Sequence, residues 1–190
     1  MSRLSVLVSR PRRTLAALAT VLVAVGITAA SGADFTATSA NADTTFATGT
    51  MQITNTRGGQ AVLASTADMR PGDPARTGTV DITNSGSLSG AFTLQRGTIV
   101  DSDGSNPLST MLDLVLTDCG DFSSGTPSCG DGDDQVKYTG TVAAMSSAVG
   151  LGNWAAGEKH KYQFSVSVNT SAGNAFQGDT STVPFTWNAA

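Results

Sequence analysis

From Phe46 onward, apolar and polar side chains alternate with a period of two. The clearest run places His160, Tyr162, Phe164, Val166 and Val168 on one face, with Lys159, Lys161, Gln163, Ser165 and Ser167 on the other. Leu112, Leu114 and Leu116 repeat the pattern, as do Val80 with Ile82, Phe92 with Leu94, and Val183, Phe185 and Trp187. This is the signature of half-buried strands. Turn-forming residues punctuate it at 55–59, 70–73, 84–87, 101–107 and 153–158. Ile99 and Val100 are read as the end of the Phe92 strand, Ala61 to Met69 as a further strand, and 142–149 as a short helix or a loop. Pro184 cannot donate to a ladder, so the final strand is expected at an edge. Seven to nine short strands with turns between them predict an all-β fold, an antiparallel jelly-roll-like β-sandwich.

The first part of the chain has a different pattern. Arg3, Arg10, Arg12 and Arg13 precede an uncharged apolar run from Leu15 to Ala30, and small residues follow at Ser31 and Ala33. A basic start, apolar centre and small-residue exit read as a secretory signal peptide over 1–33. The run is shorter than the ~20 residues of a membrane span. Residues 34–45 are polar and unpatterned and are read as an extended N-terminal segment, followed by one sandwich domain over 46–190. Membrane association is expected only through the uncleaved signal, and the mature chain is expected outside the cell.

Charge narrows the partners. Residues 34–190 carry all 15 acids and seven of the 11 Lys and Arg side chains, a net charge of −8. No basic stripe is present, so nucleic acid is not expected as a partner. Cys119 and Cys129, the only cysteines, flank a Gly/Ser/Pro loop, and in an exported chain they are expected to form a disulfide. Zinc is the rival reading, but the single histidine lies far beyond Cys129 and four N or S ligands are needed.

No catalytic constellation accompanies these elements. There is neither an HExxH nor a GxSxG motif, and His160 alone cannot build a zinc-protease site. It is read as a strand-end histidine at the rim of the core. Asp101 and Asp103 with Asn106, and Asp131, Asp133 and Asp134, form oxygen-rich loops of the kind that suits calcium. Neither completes an EF-hand, and solvated acidic turns are the preferred reading. No cofactor is expected, with calcium the candidate if there is one. Trp154, placed in a turn, could serve an adhesion or carbohydrate-binding module as a stacking platform, whereas Trp187 is expected in the core. TGTMQITN (48–55) and TGTVDITN (77–84) agree at six of eight positions. With no fixed period between them and the TGTV at 139–142, they are read as similar strand ends.

Several segments together resemble the TasA/camelysin (CalY-type) family of secreted bacterial matrix proteins. They are the signal peptide running into DTTFATGTMQIT (43–54), DMRPGD (68–73), VDITNSGSLSGAF (80–92), TDCG (117–120), LGNWAAGE (151–158), YQFSVSV (162–168) and NAFQGDTSTVPFTWNA (174–189). They occur in the family's order over most of the mature chain. The resemblance implies a jelly-roll-like sandwich, export through a SipW-type signal peptidase, and a structural role at the cell surface or in biofilm matrix. It also implies fibres in which the N-terminal segment of one subunit completes the sheet of the next, so partners would be further copies or other matrix proteins. Strand addition would use Met51, Ile53 and Phe46 as apolar contacts, with Phe35 as an outer anchor. Some relatives carry a metallopeptidase label. Without its ligands here, no catalytic or metal residue is carried over and the chain is not expected to be an enzyme.

Overall fold

The computed structural model describes residues 47–63 and 66–190. Residues 47–190 form one compact unit. It contains ten strands: β1 (Ile53–Asn55), β2 (Arg76–Asn84), β3 (Gly90–Arg96), β4 (Val100–Asp101), β5 (Leu112–Asp121), β6 (Gln135–Thr141), β7 (Val149–Trp154), β8 (Lys159–Val168), β9 (Ser181–Thr182) and β10 (Phe185–Ala189). Among the described residues the helical content is two single 3₁₀ turns, Leu108–Thr110 and Asn174–Phe176.

One sheet has five strands in the order β1-β2-β8-β5-β6, a second has three in the order β10-β3-β7, and β4 pairs with β9. Every strand pair is antiparallel. The larger sheets share one core. Val80, Ile82, Leu114, Leu116, Tyr162 and Phe164 come from the five-stranded sheet, and Phe92, Leu94, Leu151 and Trp154 from the three-stranded sheet. Each is at most 3% exposed, and burying a large side chain of this kind contributes about 1.5–3 kcal/mol. The alternation therefore sorts the faces as expected, giving an all-β antiparallel sandwich.

Local details differ from the periodicity. Ala61–Met69 forms no strand in its described residues. It packs Val62, Leu63 and Met69 against the core, and a Cβ at Gly78 of β2 would collide with the Val62 carbonyl. Apolar side chains there serve a covering loop instead of a ladder. Residues 142–144 make a turn, not a helix, yet Val142 and Met145 are buried. Ile99 and Val100 are not the end of β3: that strand stops at Arg96, and Val100 belongs to β4, which pairs with β9. Pro184, expected within the final strand, falls between β9 and β10, so its missing N–H takes no ladder position; β10 is nevertheless an outer strand of its sheet.

The two similar segments turn out to be neighbours. Ile53↔Asn84, Thr54↔Thr83 and Asn55↔Ile82 are register partners, so ITN of β1 lies antiparallel on ITN of β2. Buried Asn84 secures this corner. Its side-chain amide donates to the carbonyls of Leu88 and Ala155 at 2.8 and 3.0 Å, and its Oδ1 accepts from Gly86 N–H.

Candidate functional site

The residues expected to mediate strand addition separate. Phe35 and Phe46 lie outside the described residues. Ile53 starts β1, partly buried and packed against the core, and Met51, about one-third exposed, precedes it. Both are held by their own chain. Ser85 N–H donates to the Gln52 carbonyl and Ser87 N–H to the Thr50 carbonyl, each at 2.9 Å. A Cβ at Gly86 would run into that Thr50 carbonyl, so glycine is what lets the segment lie so close. Residues 50–55 thus form an intramolecular edge.

That edge is incomplete. β1 covers only Ile82–Asn84 of the nine-residue β2. Thr56 N–H then donates to the Asp81 carbonyl at 3.1 Å and Thr56 Oγ1 accepts from Asp81 N–H at 2.9 Å, before the chain turns away at 56–59. Asp81 therefore points its backbone groups outward, and by strand alternation Thr77 and Thr79 do the same. Among the described residues, no backbone group reaches Thr77 or Thr79 from that side. On the other flank, β2 pairs with β8 from Arg76 to Thr83 without a register shift.

The opposite outer strand, β6, is irregular. A register shift falls between Leu116 and Thr117 of its partner β5. Lys137, only 18% exposed, turns toward Asp118 with Nζ–Oδ2 at 3.5 Å. Val136 beside it is exposed. Bulges and inward-directed charges are common ways of blunting a sheet edge.

A disulfide joins Cys119 and Cys129, as expected, with Cα atoms 4.9 Å apart. Cys119 is fully buried. The loop it closes lies against β8: Phe122 N–H donates to the Lys159 carbonyl at 2.9 Å, and the Lys159 ammonium sits 4.9 Å from the Phe122 ring centre.

The acidic loops divide. Asp101 is used internally, accepting from Ser109 N–H and Oγ at 2.9 and 2.8 Å. Asp103 accepts from Asn106 Nδ2 and Ser105 N–H, and these bonds hold its carboxyl below the usual range. Asp101 and Asp103 thus both accept hydrogen bonds from their own 101–109 segment. Asp131, Asp133 and Asp134 do converge, each offering a carboxylate oxygen within 4.8 Å of the others. A hydrogen bond that Asp133 donates to Asp131 when protonated, and then the charge of Asp131, push the Asp133 carboxyl up.

The tightest polar cluster surrounds His160, whose side chain is 13% exposed. Nδ1 lies 3.1 Å from Asp118 Oδ1, and Nε2 lies 2.9 Å from Glu158 Oε1. Tyr162 Oη donates to Asp118 Oδ2 at 3.2 Å, and Gly120 N–H donates to Oδ1 at 3.1 Å. Burial opposes charge on the imidazole, but the hydrogen bonds to Asp118 and Glu158 and the two negative charges outweigh it, so His160 is held above the ordinary histidine value. Asp118 is the mirror case. Burial pushes its carboxyl up, while His160, Gly120 and Lys137 pull it further down. Burial and then Asp118 push the Tyr162 phenol up. In its doubly protonated form the ring donates to a carboxylate at each nitrogen and pins Asp118 of β5 to Glu158 ahead of β8.

Trp154 packs on this pin. Its ring stacks 4.0 Å from Phe92 and 4.5 Å from His160, and the residue is 1% exposed. It ends β7 instead of sitting in the following turn, so the expected exposed stacking platform is corrected to a core residue. Trp187, expected in the core, packs against it beside Tyr162. A polar cleft of about 340 Å³ opens beside the cluster, lined in part by Asp121, Asp133, Gln135, Asn153 and Glu158.

Sequence reasoning placed His160 at the core rim but missed Asp118, Glu158, Tyr162 and Lys137 as its company. Glu158 and Tyr162 flank it at the two-residue spacing of one strand face, a usable signal. Asp118 and Lys137 arrive through pairing across strands, which no local pattern announces. No protein-family profile and no curated protein matches this chain.

Proposed function

We propose that the chain is a secreted structural protein of the bacterial cell surface or biofilm matrix, joined into fibres by strand addition. The observation that carries this reading is the outer edge of β2 at Thr77 and Thr79, where no backbone group among the described residues pairs with it, on a strand with a regular register. An extended segment of another copy can complete that ladder, with backbone bonds giving affinity and alternate side chains giving register. Residues 34–43, polar and without a packing pattern of their own, suit the donor role, while Met51 and Ile53 remain internal. The export pattern of 1–33, the disulfide and the TasA/camelysin resemblance support an extracellular setting and a jelly-roll arrangement of the strands.

The test compares the secreted protein with a form lacking residues 34–43, by electron microscopy and melting. The expected result is loss of filaments with an unchanged melting temperature. Filaments that survive the deletion would sink the proposal. A camelysin-like peptidase activity, the competing function, would appear as casein cleavage that a chelator abolishes and zinc restores.

A further inference from the structure

The chain has one histidine, and the fold places it where three strands meet. Its ring bridges a carboxylate on β5 and another at the end of the β7–β8 turn. The partner on β5 adjoins the disulfide, because Asp118 precedes Cys119. The partner in the turn holds that turn closed: Glu158 Oε2 accepts from Ala155 N–H at 2.6 Å while Oε1 faces His160. Two carboxylates on two ring nitrogens require two N–H donors, and only imidazolium has both.

We propose that His160 is a proton-operated latch. Doubly protonated, it ties the β7–β8 turn to the disulfide-bearing end of β5; when one ring proton leaves to solvent, one carboxylate faces a lone pair and the turn is released. Glu158 is the arm that lets go. Its side chain is 29% exposed, whereas that of Asp118 is 5% exposed and is also held by Tyr162, Gly120 and Lys137. Tryptophan stacked on the ring adds a cation–π attraction that exists only for the charged form.

The groups facing the latch are few. β5 contributes Asp118 and Asp121, the latter being the register partner of His160. β6 contributes Lys137, on Asp118, and the strand's lead-in contributes Asp133 across the cleft. β7 brings only the indole of Trp154, and β2 opposes the histidine with Ile82. On β8 itself, Tyr162 shares the face, while Lys159 and Lys161 alternate to the other side. Carboxylates thus outnumber the cations around the ring, which favours its charged form.

The sign of the pH dependence follows. Because His160 is held above its ordinary value of 6.5, its contribution to stability is complete below that pH and is lost as pH rises through the raised value. Asp118, held below 3.8, contributes fully above that pH and loses its contribution as pH falls through the lowered value. The latch is closed between these limits and opens on the alkaline side.

Nuclear magnetic resonance on the secreted, disulfide-intact protein tests this without a mutation, since its ¹⁵N imidazole signals come from one residue. Between pH 5 and pH 10, both ring nitrogens should remain protonated through pH 6.5 and titrate with a midpoint above it. The amides of Ala155 and Gly120, which donate to the same two carboxylates, should shift with that midpoint. Glu158→Gln should weaken proton binding by about tenfold. A midpoint at or below 6.5, or Ala155 and Gly120 signals that ignore it, would overturn the proposal. As a second measure, Trp154 fluorescence in a Trp187→Phe background should rise with pH as the stacked ring loses its charge, and this rise should vanish in His160→Gln; no rise, or its persistence in that variant, would also count against the latch.

Discussion

β2 and β6 flank the five-stranded sheet's interior pairs and meet opposite conditions at their outer sides. β2 runs nine residues with a continuous register to β8 and is covered by β1 for only three of them. Among the described residues β6 has no further strand beside it, but a register shift distorts it and Lys137 turns a charge inward toward Asp118. A regular edge can template another strand, whereas a bulged edge with an inward charge presents its backbone groups out of line. Within one sheet, then, one outer strand is irregular and the other regular. On the proposed reading, edge chemistry, more than strand propensity, separates a site for assembly from a mere boundary.

Matched proline substitutions put most pressure on this contrast. Thr79→Pro removes an outward N–H from β2, and Thr139→Pro does the same on β6, where Val142 N–H bonding to the Leu112 carbonyl fixes the alternation. The expected outcome by electron microscopy and sedimentation is at least a tenfold fall in filament mass for Thr79→Pro and little change for Thr139→Pro, with circular dichroism confirming that both fold. Equal effects would erase the distinction between the edges. A smaller effect is expected from loss of the disulfide in the Cys119→Ala, Cys129→Ala double variant. Closing so short a loop contributes roughly 2–3 kcal/mol, read as a lower urea midpoint, while the β2 edge and its filaments persist. Lys137→Val should make β6 more adhesive. Dynamic light scattering should report modest lateral association at low salt, and its absence would mean that the register shift alone blunts the strand. Smallest of all is calcium. At millimolar concentration it is expected to leave the melting temperature unchanged, and a rise of several degrees would give Asp131, Asp133 and Asp134 a ligand role.

How much of this was legible depends on the range of the forces involved. Period-two alternation is a local consequence of the pleat, so the faces of β2, β3, β5, β8 and β10 were readable from single residues. Val62 and Leu63 misled because an apolar loop that covers a core has the same composition as a strand. Trp154 misled because its neighbours Asn153, Ala155 and Gly157 have turn chemistry, while the feature that buries it, the Phe92 ring, is 62 positions away. The cysteine pair was legible because a short loop leaves few other partners. The His160 cluster was only half legible: Glu158, just ahead of β8, and Tyr162 within it flank His160 at two-residue spacing, but Asp118 is 42 positions distant and reaches the ring through β5–β8 pairing. That β1 and the other described residues leave Thr77 and Thr79 of β2 unpaired could not be read at all, since it depends on where β1 stops.

The antiparallel contact between ITN of β1 and ITN of β2 carries a consequence of its own. Three residues laid head-to-tail on the same three residues create a local two-fold axis, passing between Thr54 and Thr83, inside a single polypeptide. Each half of that contact presents the same side chains to the other, so the recognition is palindromic: a strand that can receive this motif is also a strand that can supply it. A peptide spanning 48–55, added in excess, therefore competes for the β2 side of the contact with the chain's own copy, and its capture by the folded protein would make the internal symmetry visible as an exchange reaction.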